Sequence, residues 1–498
     1  MSVIGVKKLT VCIMLGCCSA YLGAETSPMS EFEKWQKQRA AQFNQYVSKQ
    51  DQDFNQFLKQ RWLVKDVEHT PKRDLEPKIK QPPIADPNQE LEPDTSSQVK
   101  VIKPVLEEKP EKENSKYSDK PTVVGKPVLP KLGIAKVNVE FLGNSLSFAK
   151  IPLPNLKLER IDDAAIAASW QTMAKSKNAK LIEQLNGLPQ KLNLDDWGRA
   201  YLTYEIIRQG NQQLTNNEVN LYTWYYLLQQ GFDARVGFES GLVHLLLHVS
   251  QTLYGQKFFS FGNDKYYFVN FSNTEVNLGN KIKTYQSQHA LANSDLTIDL
   301  SKMPLLAGEQ STRTLTFKYL GRQHEISVPY NKSYVEFLNL YPQMELEHYF
   351  QTGLQANSKQ ALLSYLADAI DGKTEKQALN FLLRFVQKAF PYQTDDQQFN
   401  KENFLVATET LHYPYADCED RSVLFSYLVK NLLGNKIIGV LYKGHIATAI
   451  KTNSDIDGAW YKVKGEKYLV ADPTYIGARL GQVMPGYEKQ SPKLVVIN

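Results

Sequence analysis

Three residue types that cooperate in thiol chemistry fall at element boundaries near the C-terminal end: Cys418 in "YADCEDRSVLF", His445 in "GHIATAI" and Asp472 in "YLVADPTY". Asp417 is a good N-cap, and Asp420 stands three residues on, as in a capping box. That pattern places Cys418 in the first turn of a helix whose apolar positions Val423, Leu424, Tyr427, Leu428 and Leu432 bury one face. A helix N-terminus favours a thiolate through its unpaired amides and its dipole, and the same amides can hold an oxyanion. His445 opens a strand just after Gly444, and Asp472 closes one just before Pro473. A carboxylate that orients an imidazole, which in turn deprotonates a thiol, needs these three groups. Singly each has a plainer reading: a core histidine, a capping aspartate, an inert small hydrophobe. Together, at these boundaries, they favour catalysis.

The cysteine count sharpens this. Cys12, Cys17 and Cys18 lie in the first eighteen residues, which leaves Cys418 as the sole thiol of the rest of the chain. "MSVIGVKK" followed by "LTVCIMLGCCSAYLGA" reads as an export signal, with cleavage near Ala24. "MLGC" loosely resembles a lipoprotein box, which would make Cys17 a lipid-bearing terminus and supply the one expected membrane attachment. The apolar run falls short of the roughly 20 residues a membrane helix needs. An exported chain enters an oxidising compartment, where a lone thiol forms no disulfide and risks oxidation. The expected location is periplasmic or outer-membrane-attached in a bacterium. Charge is nearly balanced, at 58 basic against 53 acidic residues. With no basic patch interleaved with aromatics, a nucleic-acid binder is excluded as the expectation.

The elements that must position the site follow from periodicity, and the expected fold class is α+β. After the signal over 1–24, an amphipathic helix is expected over 25–63. Its Phe32, Phe43 and Phe54 recur every 11 residues, each with an aromatic three later (Trp35, Tyr46, Phe57). Such a repeat keeps a stripe on one side of a long helix. The stripe over 29–62 suits a partner or self-association, and equally suits packing on the chain's own body. Residues 64–135, rich in proline, lysine and glutamate, read as a disordered or extended linker.

Globular sequence begins with "KVNVEFLGNSLSFAKI", a hairpin turning at its glycine-asparagine pair. Helical patterns follow over 161–186, 195–210 and 216–231, then strand-like runs to 293. A β-rich connecting segment is expected over 294–355, and helices and strands again over 356–498. The helix-plus-strands blocks of 136–293 and 356–498 look alike: seventeen residues run from Thr215 to Gly231 and from Cys418 to Gly434. On that alignment Cys418 faces Thr215, His445 faces Leu242 and Asp472 faces Asn270. This suggests a duplication in which the first copy lost its reactive groups. His244 and His248 sit four apart, but on a strand-like run with no third ligand evident, so no zinc site is expected.

"DCEDRS", then "GHIATAI", then "YLVADPTY" resembles the transglutaminase-like superfamily of papain-type thiol enzymes. The upstream "ATETLHYPYADCED" looks particularly similar to the bacterial transglutaminase-like cysteine proteinases. The resemblance covers residues 356–498. It implies Cys418 as nucleophile, His445 as base and Asp472 as orienting acid, and it makes 136–293 a degenerate transglutaminase-like domain. It implies an additional oxyanion donor upstream, for which Tyr392 and Gln393 in "FPYQTDD" are the candidates. In the proteinase branch the acidic residues flanking the cysteine are associated with calcium, which makes Asp417 and Glu419 candidate ligands. Carboxylates beside a thiolate raise its pKa, and a bound cation would offset them; simple helix capping is the alternative. No cofactor is otherwise required.

The leading expectation is therefore an exported cysteine peptidase or amidase acting on an envelope protein or peptide. A transamidase that cross-links proteins is one alternative. A non-catalytic envelope scaffold built from two transglutaminase-like modules is another. A regulatory first module, binding substrate or occluding the second, is a weaker one.

Overall fold

The structure, a computed structural model, describes residues 28–71, 79–86, 94, 96–104, 136–150, 153–176, 178–272, 274 and 276–497. The signal segment with Cys17, and the parts of the expected linker at 72–78, 87–93, 95 and 105–135, lie outside the described residues. The chain divides into two units, Met1–Asp53 and Phe54–Asn498. In the first, the described backbone is helix α1 (Pro28–Leu58) as far as Asp53. There the Arg39 guanidinium stands over the half-exposed ring of Trp35 at 5.2 Å. The side chains of Phe32, Phe43 and Tyr46, central to the aromatic stripe, lie outside the described residues.

In the second unit the stripe's last member is a core residue. Phe54 meets Trp170 edge-on at 4.8 Å between ring centroids, and likewise Tyr285 at 5.5 Å and His289 at 5.0 Å. Leu58 and Trp62 join the same core.

The linker expected from residue 64 is structured at its start. Strands β1 (Leu63–Asp66) and β2 (Glu68–His69) cap the two edges of a sheet. Further on, Ile84 pairs in parallel with Ile476, and the Ala85 amide donates to the Ile476 carbonyl at 2.8 Å. Gln98 bridges Thr374, while Val99 and Val101 pack on the second core. Composition could not show this, because backbone pairing to a distant sheet edge needs no apolar periodicity.

The hairpin β3 (Lys136–Phe141) and β4 (Asn144–Ala149) turns at Leu142 and Gly143, one residue earlier than the glycine-asparagine pair. Both turn residues have positive φ, 50° and 84°, the geometry of a tight hairpin turn. Helices α2 (Asp163–Ala174), α3 (Ala179–Lys191), α4 (Asp196–Gly210) and α5 (Asn216–Gln229) follow. Asp162, Asp195 and Thr215 cap α2, α4 and α5 with side-chain hydrogen bonds.

Five strands complete the first sheet: β5 (Ala234–Glu239), β6 (Leu242–His248), β7 (Lys257–Phe261), β8 (Asp264–Val269) and β9 (Lys281–Thr284). The seven strands run in the order β1-β9-β5-β6-β8-β7-β2.

The stretch read as β-rich holds one long hairpin, β10 (Gln310–Tyr319) and β11 (Arg322–Asn331), followed by helices α6 (Lys332–Leu338) and α7 (Leu346–Tyr349). One face of the hairpin (Leu315, Phe317, Ile326, Val328) packs on helices α8 (Ala356–Ile370) and α9 (Glu375–Ala389) in one core. The hairpin thus belongs physically with the C-terminal helices.

Short helices α10 (Asp395–Phe399) and α11 (Ala407–His412) lead to α12 (Cys418–Leu433). The last strands are β12 (Ile437–Tyr442), β13 (His445–Ile450), β14 (Trp460–Val463), β15 (Glu466–Ala471) and β16 (Lys493–Val496). Their order is β14-β15-β13-β12-β16, with antiparallel pairing throughout. Read from the other edge, this is the order β9-β5-β6-β8-β7 of the first sheet, element for element, with α5 and α12 as the preceding helices. The architecture is α+β, and the two sheets share one topology.

Candidate active site

The start of α12 is held on several sides. Asp420 accepts from the Asp417 amide at 3.2 Å through one oxygen and from the Leu405 amide at 2.9 Å through the other. The first turn is thereby tied to the segment ahead of α11. Ser422, one turn on, donates to the Cys418 carbonyl at 2.7 Å and reaches the Ile446 carbonyl at 3.3 Å. That contact locks the cysteine's turn against β13 one residue beyond His445. Cys418 itself is buried, and its Sγ donates to Glu419 Oε2 at 3.0 Å.

The structure brings His445 and Asp472 together. His445 Nε2 lies 2.8 Å from Asp472 Oδ2, and the His445 side chain is 0% exposed. The other Asp472 oxygen accepts from the amides of Thr474 (2.9 Å) and Tyr475 (3.1 Å), so its direction is set by its own turn. His445 Nδ1 is buried and has no hydrogen-bond partner. The ring therefore has one nitrogen committed to a carboxylate and the other left for a proton donor. Two tyrosines flank it: Tyr442 stacks in parallel at 6.0 Å, and Tyr487 approaches at 5.0 Å.

A buried cation lies beneath the same turn. Arg421 donates to the carbonyls of Ala416 (3.1 Å) and Phe390 (2.7 Å), and burial pushes its pKa down to about 10. Of the two candidate oxyanion donors, Tyr392 lies with its ring under this guanidinium at 5.3 Å. Gln393 follows, half-buried, ahead of α10.

Asp417 and Glu419 are both fully buried, and a third carboxylate joins them: Asp395, from the first residue of α10. One ligand atom from each of the three lies within 4.8 Å of the others. Asp395 also accepts from the Asn403 amide at 2.7 Å. Sequence reasoning missed Asp395, although it stands in the "FPYQTDD" stretch, and missed Arg421, although it stands in "DCEDRS". It also missed Gln387, whose signal is a glutamine on the largely apolar buried face of an amphipathic helix.

In the first sheet, β6 begins at Leu242 and the residue after β8 is Asn270, matching His445 and Asp472 in position. The N-caps Thr215 and Asp417 match each other, so Cys418 falls opposite Asn216 rather than Thr215. His248 turns toward Asp295 (2.9 Å) and Asp233 (3.5 Å), and the Asp233 contact raises its pKa. His244 packs its ring against Phe268 at 5.8 Å. No family model, curated protein or solved structure matches the chain.

Proposed function

We propose that the chain is an exported thiol enzyme of the transglutaminase-like kind, a cysteine peptidase or amidase. On this reading it attacks an amide bond of an envelope protein or peptide through Cys418, His445 and Asp472. The observation that carries it is the buried His445, bonded to Asp472 through Nε2 and unpartnered at Nδ1, beside a helix that begins at Cys418. His445 takes the thiol proton, and the thiolate attacks the amide carbon. The carbonyl π pair moves to oxygen, within reach of amides such as those at the start of α12. His445 returns the proton to the leaving amine as the C–N bond breaks. Water then cleaves the thioester, giving a carboxylic acid and restoring the thiol; an amine in its place gives transamidation. Residues 136–293 are on this reading a degenerate copy of the domain over 356–498, supported by the shared strand order. Export follows from the leader over 1–24, and a lipid on Cys17 would be the means of membrane attachment.

Calcium fits the carboxylates of Asp395, Asp417 and Glu419, which are hard oxygen donors gathered in a buried place where uncompensated charge is costly. These three residues would hold it, and its charge would offset the carboxylates that otherwise oppose a thiolate at Cys418.

The scaffold reading has one observation in its favour, the near-complete burial of Cys418 and His445. The alkylation rate of Cys418 against pH, with and without calcium, in wild type and His445→Ala, separates the two. An unperturbed thiol titrates near 8.5. A reactive thiolate well below neutral pH that depends on His445 supports the enzyme. A slow, histidine-independent reaction in both conditions refutes it.

A further inference from the structure

The turn that aims Asp472 is held from two sides, and one side belongs to a distant part of the chain. From within, α9 supplies Gln387, bonded to the carbonyls of Asp472, Tyr475 and Ala478, and Arg384, which donates to the Gly477 carbonyl at 2.8 Å. The backbone groups of Ile476 turn the other way. Its amide donates to the Pro83 carbonyl at 3.0 Å, and its carbonyl accepts from the Ala85 amide at 2.8 Å. Ile84 thereby pairs in parallel with Ile476, the residue after Tyr475, whose own amide donates to the Asp472 carboxylate.

The contact is narrow and well placed. A β-carbon added at Gly477 would come within 3.2 Å of Arg384 and 3.8 Å of the Ala85 methyl, so the turn is enclosed between α9 and residues 83–85. The Ile84 side chain is 75% exposed, and of residues 79–86 Ala85 alone is buried. So little covered apolar surface adds little to global stability. Ile476 is partly exposed, so water can take both of its backbone groups if the pairing is lost. What the two hydrogen bonds supply is direction, next to the amide that orients Asp472. Displacements of about 1 Å at a reacting centre already carry large rate penalties.

The segment is anchored before and after this contact. Before it, the Thr70 amide donates to the Gln256 carbonyl at 2.9 Å, ahead of β7 in the first sheet. After it, the Ser97 carbonyl accepts from the Glu375 amide at 2.7 Å at the start of α9, and the Ile102 amide donates to the Leu432 carbonyl at 2.8 Å near the end of α12. Residues 83–85 therefore reach the Asp472 turn on a connection that runs from the first sheet to the helices beside the second.

We propose that residues 83–85 are a positioning clamp: their backbone pairing with Ile476 holds the turn that directs Asp472 at His445. The connection between the two sheets thus sets the geometry of the candidate site from outside the domain that contains it. The catalytic meaning of the clamp rests on the enzyme reading above; its effect on the His445–Asp472 contact does not.

The test uses the full chain with labelled histidine rings. Ala85→Pro removes the amide that bonds Ile476 and puts a ring in its place, whereas Ala85→Ser keeps the amide. Ala85→Pro is expected to move the His445 ring signal and to lower Cys418 alkylation at pH 6 at least threefold, with the urea midpoint of wild type. Ala85→Ser is expected to return both readings toward wild type. The inference is overturned if the His445 signal of Ala85→Pro stays in place, if a reactive Cys418 keeps its alkylation profile in that variant, or if Ala85→Ser behaves like Ala85→Pro. It is equally overturned if the urea midpoint falls in step with the other readings, since the segment would then only fasten the fold. Because the His445 signal is read without turnover, an inert Cys418 in wild type would refute the enzyme proposal and leave the clamp tested.

Discussion

Gln387 holds Asp472 from behind. From α9 its Nε2 donates to the Asp472 carbonyl at 3.0 Å and also reaches the carbonyls of Tyr475 (2.8 Å) and Ala478 (3.1 Å). Its Oε1 accepts from the Gly477 amide at 3.1 Å. One buried side-chain amide thus ties down the whole turn after β15, and with it the amides that aim the Asp472 carboxylate at His445.

Gln387→Leu should therefore act on the site as well as on stability. It leaves several buried backbone groups unpaired, at about 1–3 kcal/mol for such a group. Loosening the turn should also lower Cys418 alkylation at pH 6 roughly tenfold or more, since displacements of about 1 Å carry penalties of that order and larger. Alkylation across a pH series beside a denaturant titration separates the effects. An unchanged pH profile in a merely less stable protein would show that Gln387 only fastens the fold.

Glu409, buried in α11 and accepting from the Val406 amide at 3.0 Å, has its pKa pushed up to about 7 by burial. A carboxyl whose folded pKa is raised binds its proton more tightly when folded. Its contribution is fully present below the unfolded value near 4.5 and is lost as pH rises through 7. The loss is about 3 kcal/mol by pH 8, at about 1.4 kcal/mol per unit. Glu409→Gln keeps an acceptor for Val406 and should remove this part of the slope, making the variant the more stable protein at pH 8. Urea midpoints at pH 5, 6.5 and 8 for both proteins check it, and parallel curves would refute it.

Calcium should raise the melting temperature of wild type in proportion to its binding to the folded state alone. Asp395→Asn removes one of the three gathered carboxylates and should abolish most of that rise, while itself relieving crowded charge in the calcium-free protein. Differential scanning calorimetry in calcium and in chelator reads both effects. An equal rise in wild type and variant would place the ion elsewhere.

Phe54→Ala should cost about 3–5 kcal/mol, the range for deleting a buried aromatic, because Trp170, Tyr285 and His289 all lose a ring face or edge. Trp35→Ala, at a half-exposed ring on the same helix, should leave unfolding nearly unchanged. Denaturant unfolding followed by tryptophan fluorescence distinguishes them. A small effect at Phe54 would mean that α1 ends outside the core.

The sequence by itself determined the local elements around the candidate site. A capping pattern, a glycine before a strand and a proline after one are local signals, so Cys418 at a helix start and His445 and Asp472 at strand ends were legible. The likeness of the two helix-plus-strands blocks was legible for the same reason, through repeated spacing. Tertiary structure decided what those residues face. Asp395 joins Asp417 and Glu419 across more than twenty residues, Gln387 reaches Asp472 from another helix, and Ile84 finds Ile476 across most of the chain. None of these pairings leaves a periodic trace, because hydrogen bonds and carboxylate clusters between distant segments depend on where the backbone returns. The same holds for Phe54: an 11-residue spacing defines a stripe on a helix, and only the packed core decides what that stripe meets.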